Sequence, residues 1–406
     1  MATVARKLLG VTQVVVKGIE IGEDGVIFDL RPRWRRPRCG QCGRRAPGYD
    51  CRPARRWQHL AVGAVILWIR YAPRRVRCSS CGVRTEQVPW GRSQSRFTGD
   101  LEEMAAYLAQ ITDQTQVTRL LGIAWRTVGK IVARVVEGRL DPSRLDDLRF
   151  IGVDEFGYRR RQRYLTTVVD HGRRRVIWAG KGHGAQTLHA FFDRLGEKRT
   201  AALEVVTMDM SAGYMGAVRG RAPQAQIVFD RFHVQQLAGD AVDEVRREQV
   251  RLLEDPQDKR AVKDTRFVLL KNPWNLRAEE KRKLSQIERT NRPLYRAYLL
   301  KEALAGVYEY AQPKRAREAL QDWLGWAGRS RLRPFVRVAR TIRKHQRDIL
   351  AYIDFGLTNG LVEGINNRVR MVARRAFGFH SAEALIAMVY LCCGGISLHP
   401  PLPVPT

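Results

Sequence analysis

Phe150-Ile151-Gly152-Val153-Asp154-Glu155-Phe156 is the stretch that decides the fold. A short apolar run, β-branched at Ile151 and Val153, ends in two carboxylates, and such a run reads as a buried strand. Asp is a poor strand residue, and burying it unpaired is costly. Asp154 therefore needs a cation, a hydrogen bond or water. Working outward, residues 164–170 and 175–179 read as two more strands, 186–195 as a helix, and 204–208 and 226–230 as two further strands. Three strands in series and then a helix-separated pair predict a mixed α/β sheet. Val205-Val-Thr-Met-Asp209 and Ile227-Val-Phe-Asp230 repeat the opening arrangement, an apolar strand running into an aspartate. Water at a strand end explains any one of the three; it explains three in one sheet less well.

Strand signals fade between residues 234 and 355, where the pattern is helical and heavily charged, and residues 358–378 read as one amphipathic helix. Val362, Ile365, Val369, Val372 and Ala376 line its apolar face. Glu363, Asn366, Asn367, Arg370 and Arg374 line the polar side, where Glu363 could reach a metal while its neighbours contact phosphate. A solvated charged face fits the same pattern. Two Asp and one Glu converging on a sheet can hold two Mg²⁺ (or Mn²⁺) ions through hard oxygens. Two such ions serve an in-line displacement at phosphorus with no covalent protein nucleophile. Glu155 alternates to the opposite face of the strand and is left out of the site.

Toward the N-terminus, residues 11–18 and 61–71 are strand-like runs. Cys39-Gly-Gln-Cys42-Gly and Cys78-Ser-Ser-Cys81-Gly are matched knuckles, thirty-five residues apart. Each pair puts two thiolates on one turn, and the glycine after the second Cys permits a tight backbone. Cys39, Cys42, Cys78 and Cys81 suit a closed structural Zn²⁺ site; a doubled redox motif is the weaker reading. Cys51 has no CxxC partner and reads as structural, and Cys392 and Cys393 as buried apolar residues. Residues 101–111, 115–121 and 124–136 read as helices. Gly122 lies at a turn, and Val117, Leu120, Leu121, Ile123, Val128 and Ile131 are spaced to close a small core. This is a helix-turn-helix pattern, with Trp125, Arg126, Thr127 and Lys130 on the face that would meet a DNA groove and its phosphates. Plain helix packing gives similar patterns.

Composition narrows the partner. Lys and Arg total 72 against 41 Asp and Glu, a net charge of +31. Between Arg31 and Arg56 stand ten arginines and one acid, Asp50. Such an excess repels itself unless a polyanion neutralises it, and nucleic acid is the usual one. Charge alone also fits a ribosomal or chromatin-like binder or an anionic membrane surface, but the sequence has no run of about 18 apolar residues to span a bilayer. The N-terminus lacks a signal-peptide pattern and the cysteine count is odd, so the expected compartment is the reducing cytoplasm, on the nucleoid. The last residues, 399–406, read as a Pro-rich tail.

Together these residues resemble the ISL-three-type insertion-sequence transposases, a DDE family. The resemblance covers nearly the whole chain. It rests on the paired CxxC knuckles, Leu121-Gly-Ile-Ala-Trp125, Ile151-Gly-Val-Asp154-Glu-Phe, Asp209-Met-Ser and Phe229-Asp-Arg-Phe-His233-Val. Leu269-Leu-Lys-Asn-Pro273, Asn359-Gly-Leu-Val-Glu363-Gly-Ile-Asn-Asn367 and Arg374-Arg-Ala-Phe-Gly-Phe379 complete it. Each motif is weak alone; their order and combination are specific. The resemblance implies a multidomain α/β chain: an RNase H-like catalytic fold with an α-helical insertion, preceded by a zinc ribbon and a helix-turn-helix. The expected divisions are 1–97 for the ribbon, 98–145 for the helix-turn-helix, 146–238 with 356–398 for the catalytic domain, and 239–355 for the insertion. It implies Asp154, Asp209 and Glu363 as the catalytic, metal-holding triad, with Asp230 and His233 near the site. It implies double-stranded DNA as partner, cleavage at terminal inverted repeats, joining of 3′ ends to target DNA, and a homodimer or higher assembly on DNA. A catalytically inactive, sequence-specific DNA-binding regulator derived from such an enzyme, and a nuclease that cuts without joining, are the competing readings.

Overall fold

The computed structural model describes residues 7–92, 94–159, 163–355, 360–375, 379 and 381–401. They form two compact units, Met1–Pro142 with Met371–Thr406, and Ser143–Arg370.

The first unit opens with two small sheets. One has the order β1-β2-β5-β4, from β1 (Val14–Gly22), β2 (Gly25–Pro32), β4 (Arg55–Gln58) and β5 (Leu67–Tyr71). Its buried face gathers Phe28, Leu30, Trp57, Leu67 and Ile69 with Trp90. The other has the order β3-β6-β7, from β3 (Gly48–Cys51), β6 (Arg74–Cys78) and β7 (Gly82–Thr85). It is too small for a large apolar core: its buried cluster is Cys39, Ala46, Val76 and Cys78. Helices α1 (Gly99–Ile111), α2 (Gln114–Leu121) and α3 (Trp125–Arg139) follow. Thr98 and Asp113 cap α1 and α2 by accepting from Leu101 N and Gln116 N.

The second unit is built on one five-stranded sheet, from β8 (Phe150–Arg159), β9 (Arg163–Asp170), β10 (Arg175–Lys181), β11 (Val205–Met208) and β12 (Gln226–Phe229). The order is β10-β9-β8-β11-β12, with β8, β9 and β10 antiparallel in series and β11 and β12 parallel to β8. This is the mixed sheet expected from the strand spacing. Helices α4 (Ala185–Leu195), α5 (Glu197–Ala201) and α6 (Ala212–Arg221) connect the later strands. From Asp230 onward the chain is helical: α7 (Arg231–Leu252), α8 (Pro256–Lys263), α9 (Arg266–Leu270), α10 (Ala278–Thr290), α11 (Arg292–Gly306), α12 (Pro313–Arg329), α13 (Arg333–Lys344) and α14 (Gln346–Phe355). α15 (Gly360–Arg375) and α16 (Ala382–Cys393) close the chain.

The observed divisions differ from those expected. Residues 239–355 do not form a separate core. One continuous apolar cluster runs from Ile151, Val206 and Phe229 on the sheet through Val234 and Val242 on α7 to Leu300, Leu320 and Ile342. The physical reason is α7: it starts directly after edge strand β12 and buries one face along its length, and α8, α9, α11, α13 and α14 pack on it. The expected catalytic segment 356–398 also divides. α16 packs on α1 and α3 in the first unit, where Gln110 Nε2 donates to Leu391 O at 2.7 Å. The small sheets and the three helices fall within one of the two units, which are coarser than the four expected divisions. Of the helix expected over 358–378, residues 358–359 and 376–378 lie outside the described residues, as do 402–406 of the expected tail.

Candidate functional site

The two cysteine knuckles meet. The Sγ atoms of Cys39, Cys42, Cys78 and Cys81 all lie within 4.8 Å of one another, and Cys42 and Cys78 are 3.6 Å apart. Gly43 and Gly82, which follow the second Cys of each pair, have φ of 72° and 71°, a left-handed conformation that suits a residue without Cβ. Each knuckle thus turns back on itself: Gly43 N donates to Cys39 O at 2.9 Å. The thiols share one site unevenly. Backbone N–H groups of Ser80 and Cys81 bring the Cys78 thiol down to about 7, and burial beside the other sulfurs pushes Cys81 up to about 12. Four sulfurs this close cannot all ionise without a cation, and a soft divalent ion such as zinc fits the set. Cys51, read as structural, is exposed and stands outside it.

The helix pair after the knuckles has the expected turn. Gly122 is left-handed at φ 62°, and Val117, Ile123, Val128 and Ile131 are buried. Leu120, expected in that core, is 64% exposed. On a helix it lies some 60° from Val117 on one side while Leu121 lies nearer on the other, and Leu121 takes the partly buried place. Trp125, Arg126 and Lys130 are exposed on α3, and Thr127 is half-buried.

The aspartates are aligned by sheet register. β11 pairs with β8 as Val205↔Phe150, Val206↔Ile151 and Thr207↔Gly152. Continuing by two residues sets Asp209 beside Asp154. β11 pairs with β12 up to Met208↔Phe229, so the next residues are Asp209 and Asp230. The three aspartates therefore fall in one row at the same end of the sheet, Asp154 within β8 and Asp209 and Asp230 just past the ends of β11 and β12. β8 does not end at Asp154, as expected from its sequence. It continues to Arg159 because β9 supplies a hairpin partner, with Asp154 opposite Thr167. Glu155 points to the other face, where Tyr214 Oη donates to it at 2.9 Å.

Asp154 sits in an unfavourable place for a charge. Burial pushes its carboxyl up to about 6, and the charge of Asp209 adds to the push. The Glu155 N–H, which donates to Oδ1 at 2.6 Å, and the charges of Arg370 and His233 pull the other way. Asn366 Nδ2 donates to the second oxygen, Oδ2. Asp209 Oδ1 accepts from Ser211 N at 3.2 Å. Asp230 caps α7, accepting from Phe232 N at 3.0 Å, and His233 Nε2 lies 4.0 Å from its Oδ2.

α15 carries the remaining expected residues. Glu363, Asn367 and Arg374 are exposed, and Arg370 is partly buried. Asn366 was expected on the solvent side with them; it is 2% exposed and bonded to Asp154. Among the described residues, only the four cysteines bring three or more ligand atoms within 4.8 Å of one another. The sheet brings Asp154 and Asp209 together, and Glu363 stands one helical turn before Asn366 on the same side of α15. The sequence reading missed the Asn366–Asp154 contact. Its signal was the spacing of three from Glu363, and it was outweighed by the polarity of an amide.

A DNA-binding helix pair joined to a row of strand-borne aspartates defines a class: a DNA-processing enzyme with its own DNA reader. Residues 151–389 match a DDE family model described as transposase, and residues 86–136 match the helix-turn-helix domain of transposase family ISL3. The chain belongs to the ISL3 family of DDE transposases. It is 39% identical to the transposase for insertion sequence element IS1557 of Mycobacterium tuberculosis, over 96% of this chain and 95% of that one. It is 30% identical to the transposase for insertion sequence element IS1001 of Bordetella parapertussis, over 87% and 88% of the two chains. The family membership makes the chain a DNA-cleaving and DNA-transferring enzyme that uses divalent metal. No helix among the described residues is long and apolar enough to cross a membrane.

Proposed function

We propose that this transposase binds the terminal inverted repeats of its insertion sequence, cleaves at the element ends and joins the 3′ ends to target DNA, with Asp154, Asp209 and Glu363 as its catalytic triad. The order and direction of the five strands favour an RNase H-like catalytic fold. The observation that carries the site assignment is the register of Asp154 and Asp209 on neighbouring parallel strands, with the Asp154 carboxyl raised to about 6. A carboxylate held in that state lacks positive charge, and hard divalent cations of the Mg²⁺ or Mn²⁺ kind would supply it. Glu363 would complete the set from α15. Held by Asp154, Asp209 and Glu363, such ions would supply the Lewis acidity that an in-line displacement at phosphorus by water or a 3′-hydroxyl requires.

The protein's own groups do the rest. Arg370 brings positive charge to Asp154, and the His233 imidazole stands beside Asp230 at the edge of the row, where a scissile phosphate would lie. Asp230 fixes the start of α7 and so the place of His233. Trp125, Arg126, Thr127 and Lys130 on α3, with Asn367 and Arg374 on α15, are the candidate DNA contacts. The four cysteines would hold one structural Zn²⁺ that shapes the ribbon. A pair of element ends calls for at least a homodimer on DNA.

The test is a strand-transfer assay with purified protein, Mg²⁺ and duplexes carrying the flanking inverted repeats, with Glu363→Gln as control. Joined products that vanish in the variant support the assignment. Binding without cleavage in both proteins overturns it in favour of a regulator, and cleavage without joints points to a nuclease.

A further inference from the structure

Asn366 is a buried side chain with a job that a DNA contact does not explain. It is 2% exposed, on the face of α15 that also buries Val369 and Val372. Its Nδ2 donates to Asp154 Oδ2. Its Oδ1 lies 3.4 Å from Thr167 Oγ1, a hydroxyl that is also 3.4 Å from Asp154 O across the strand pair and shares its one proton between the two acceptors. An ionised carboxylate only accepts, so the amide must turn its NH₂ toward Asp154 and its oxygen toward the Thr167 hydroxyl. The three side chains form a directed chain, from Thr167 to Asn366 to Asp154. Together with the Glu155 N–H on Oδ1, it fixes both oxygens of Asp154.

We infer that Asn366 is a positioning residue for metal binding: it orients the Asp154 carboxylate, and through the same contact it sets the rotation of α15 that carries Glu363. This rests on the reading of Asp154 as a metal ligand. The contact joins two ligands that are far apart in sequence, one on a strand and one on a helix, at a single buried point. Residues three apart lie on the same side of a helix, so locking Asn366 locks the direction in which Glu363 projects. Partners that orient metal-holding groups matter nearly as much as the groups themselves, and their loss typically costs 10–100-fold in affinity or rate.

The experiment uses the full chain and Mn²⁺ as probe, read by the electron paramagnetic resonance of the free ion. Binding of an inverted-repeat duplex is measured in parallel by fluorescence anisotropy. Asn366→Leu keeps the size and loses the donor. We expect its Mn²⁺ affinity and joining rate to fall about tenfold or more while the duplex Kd and the melting temperature stay near wild type. Thr167→Val, which keeps the strand shape and removes the hydroxyl shared between Asn366 Oδ1 and Asp154 O, should lose about threefold in the same two quantities. Unchanged Mn²⁺ affinity in both variants overturns the inference. If Asn366→Leu melts early, Thr167→Val alone decides, and wild-type affinity there overturns it. Asp154→Asn separates the two levels: if that variant binds Mn²⁺ like wild type, the ligand reading has failed and the role of Asn366 falls with it. If Asp154→Asn loses the ion and the Asn366 variant keeps it, only the inference has failed.

Discussion

The cysteine cluster and the carboxylate row are both built to attract a cation, yet they are assembled in opposite ways. Each half of the cysteine cluster is local, two ligands on one turn closed by a left-handed glycine, and the halves are joined by short backbone pairing of Arg38–Gly40 with Thr85–Gln87 after β7. Asp154 and Asp209 come from two strands, and the register of a whole sheet aligns them. Asn366 comes from a helix more than two hundred residues away in sequence from Asp154. The cluster has almost no apolar core of its own, whereas the row stands on the largest core in the chain. Metal should therefore act on folding at the first site and on chemistry at the second.

The largest expected effect is at the second site. Asp209→Asn and Asp154→Asn should each lower end cleavage by about a thousandfold or more, since the lost cation stabilisation is several kcal/mol and each 1.4 kcal/mol is tenfold. Duplex binding should be unchanged in the same preparations; loss of binding would mean that the row supports the fold instead. Next is metal removal at the first site. Chelation, or Cys39→Ser, should abolish sequence-specific end binding and lower the melting of the first unit, while the melting of the second unit stays put. A chelator with no effect on either would remove zinc from the account.

A third prediction concerns sign. In the metal-free protein the folded state holds the Asp154 proton more tightly than the unfolded chain does, because burial raises its carboxyl from the usual 3.8 to about 6. Stability should fall as pH rises from about 4 to about 6 and level off above, and Asp154→Asn should remove that slope. At pH 7 in the absence of metal the variant should gain up to about 3 kcal/mol, the equivalent of a carboxyl raised from 3.8 to about 6. Asn366 can accommodate the change by flipping its amide, with Thr167 then accepting. A metal-free variant no more stable than wild type would show that Asp154 is already neutralised. The smallest effect is at Leu120. Its exposure predicts that Leu120→Ala changes stability by no more than about 0.5 kcal/mol, so a larger loss by thermal melting would return it to the core where its spacing had placed it.

The same contrast explains what could be read in the sequence. The knuckles, the Gly122 turn and the strand–aspartate runs at 154, 209 and 230 are short-range patterns, and the elements appear within a few residues of where those patterns put them. Register, burial of a polar residue and division into units depend on partners distant in sequence. Hence Asn366 was expected outside, Leu120 inside, and residues 239–355 as a body of their own. Periodicity marks the apolar face of a helix but cannot say that a buried amide will be satisfied by a carboxylate on a strand. It also cannot say that one cluster of apolar residues will run from the sheet through α7 to the later helices. Glu363, exposed on α15, was legible only through its motif.

The continuous core that joins the sheet to the helices beyond α7 has a consequence for heredity. In a protein with separable modules, a copy of the gene can lose one module and keep the chemistry of another. Here a change that spoils packing at Leu300, Leu320 or Ile342 weakens the same cooperative body that holds the aspartates in register. The target for inactivating mutation is thus not a handful of acidic codons but most of the reading frame from residue 143 to residue 370. Copies of such an element should fall silent mainly through loss of fold, with their acidic residues still intact.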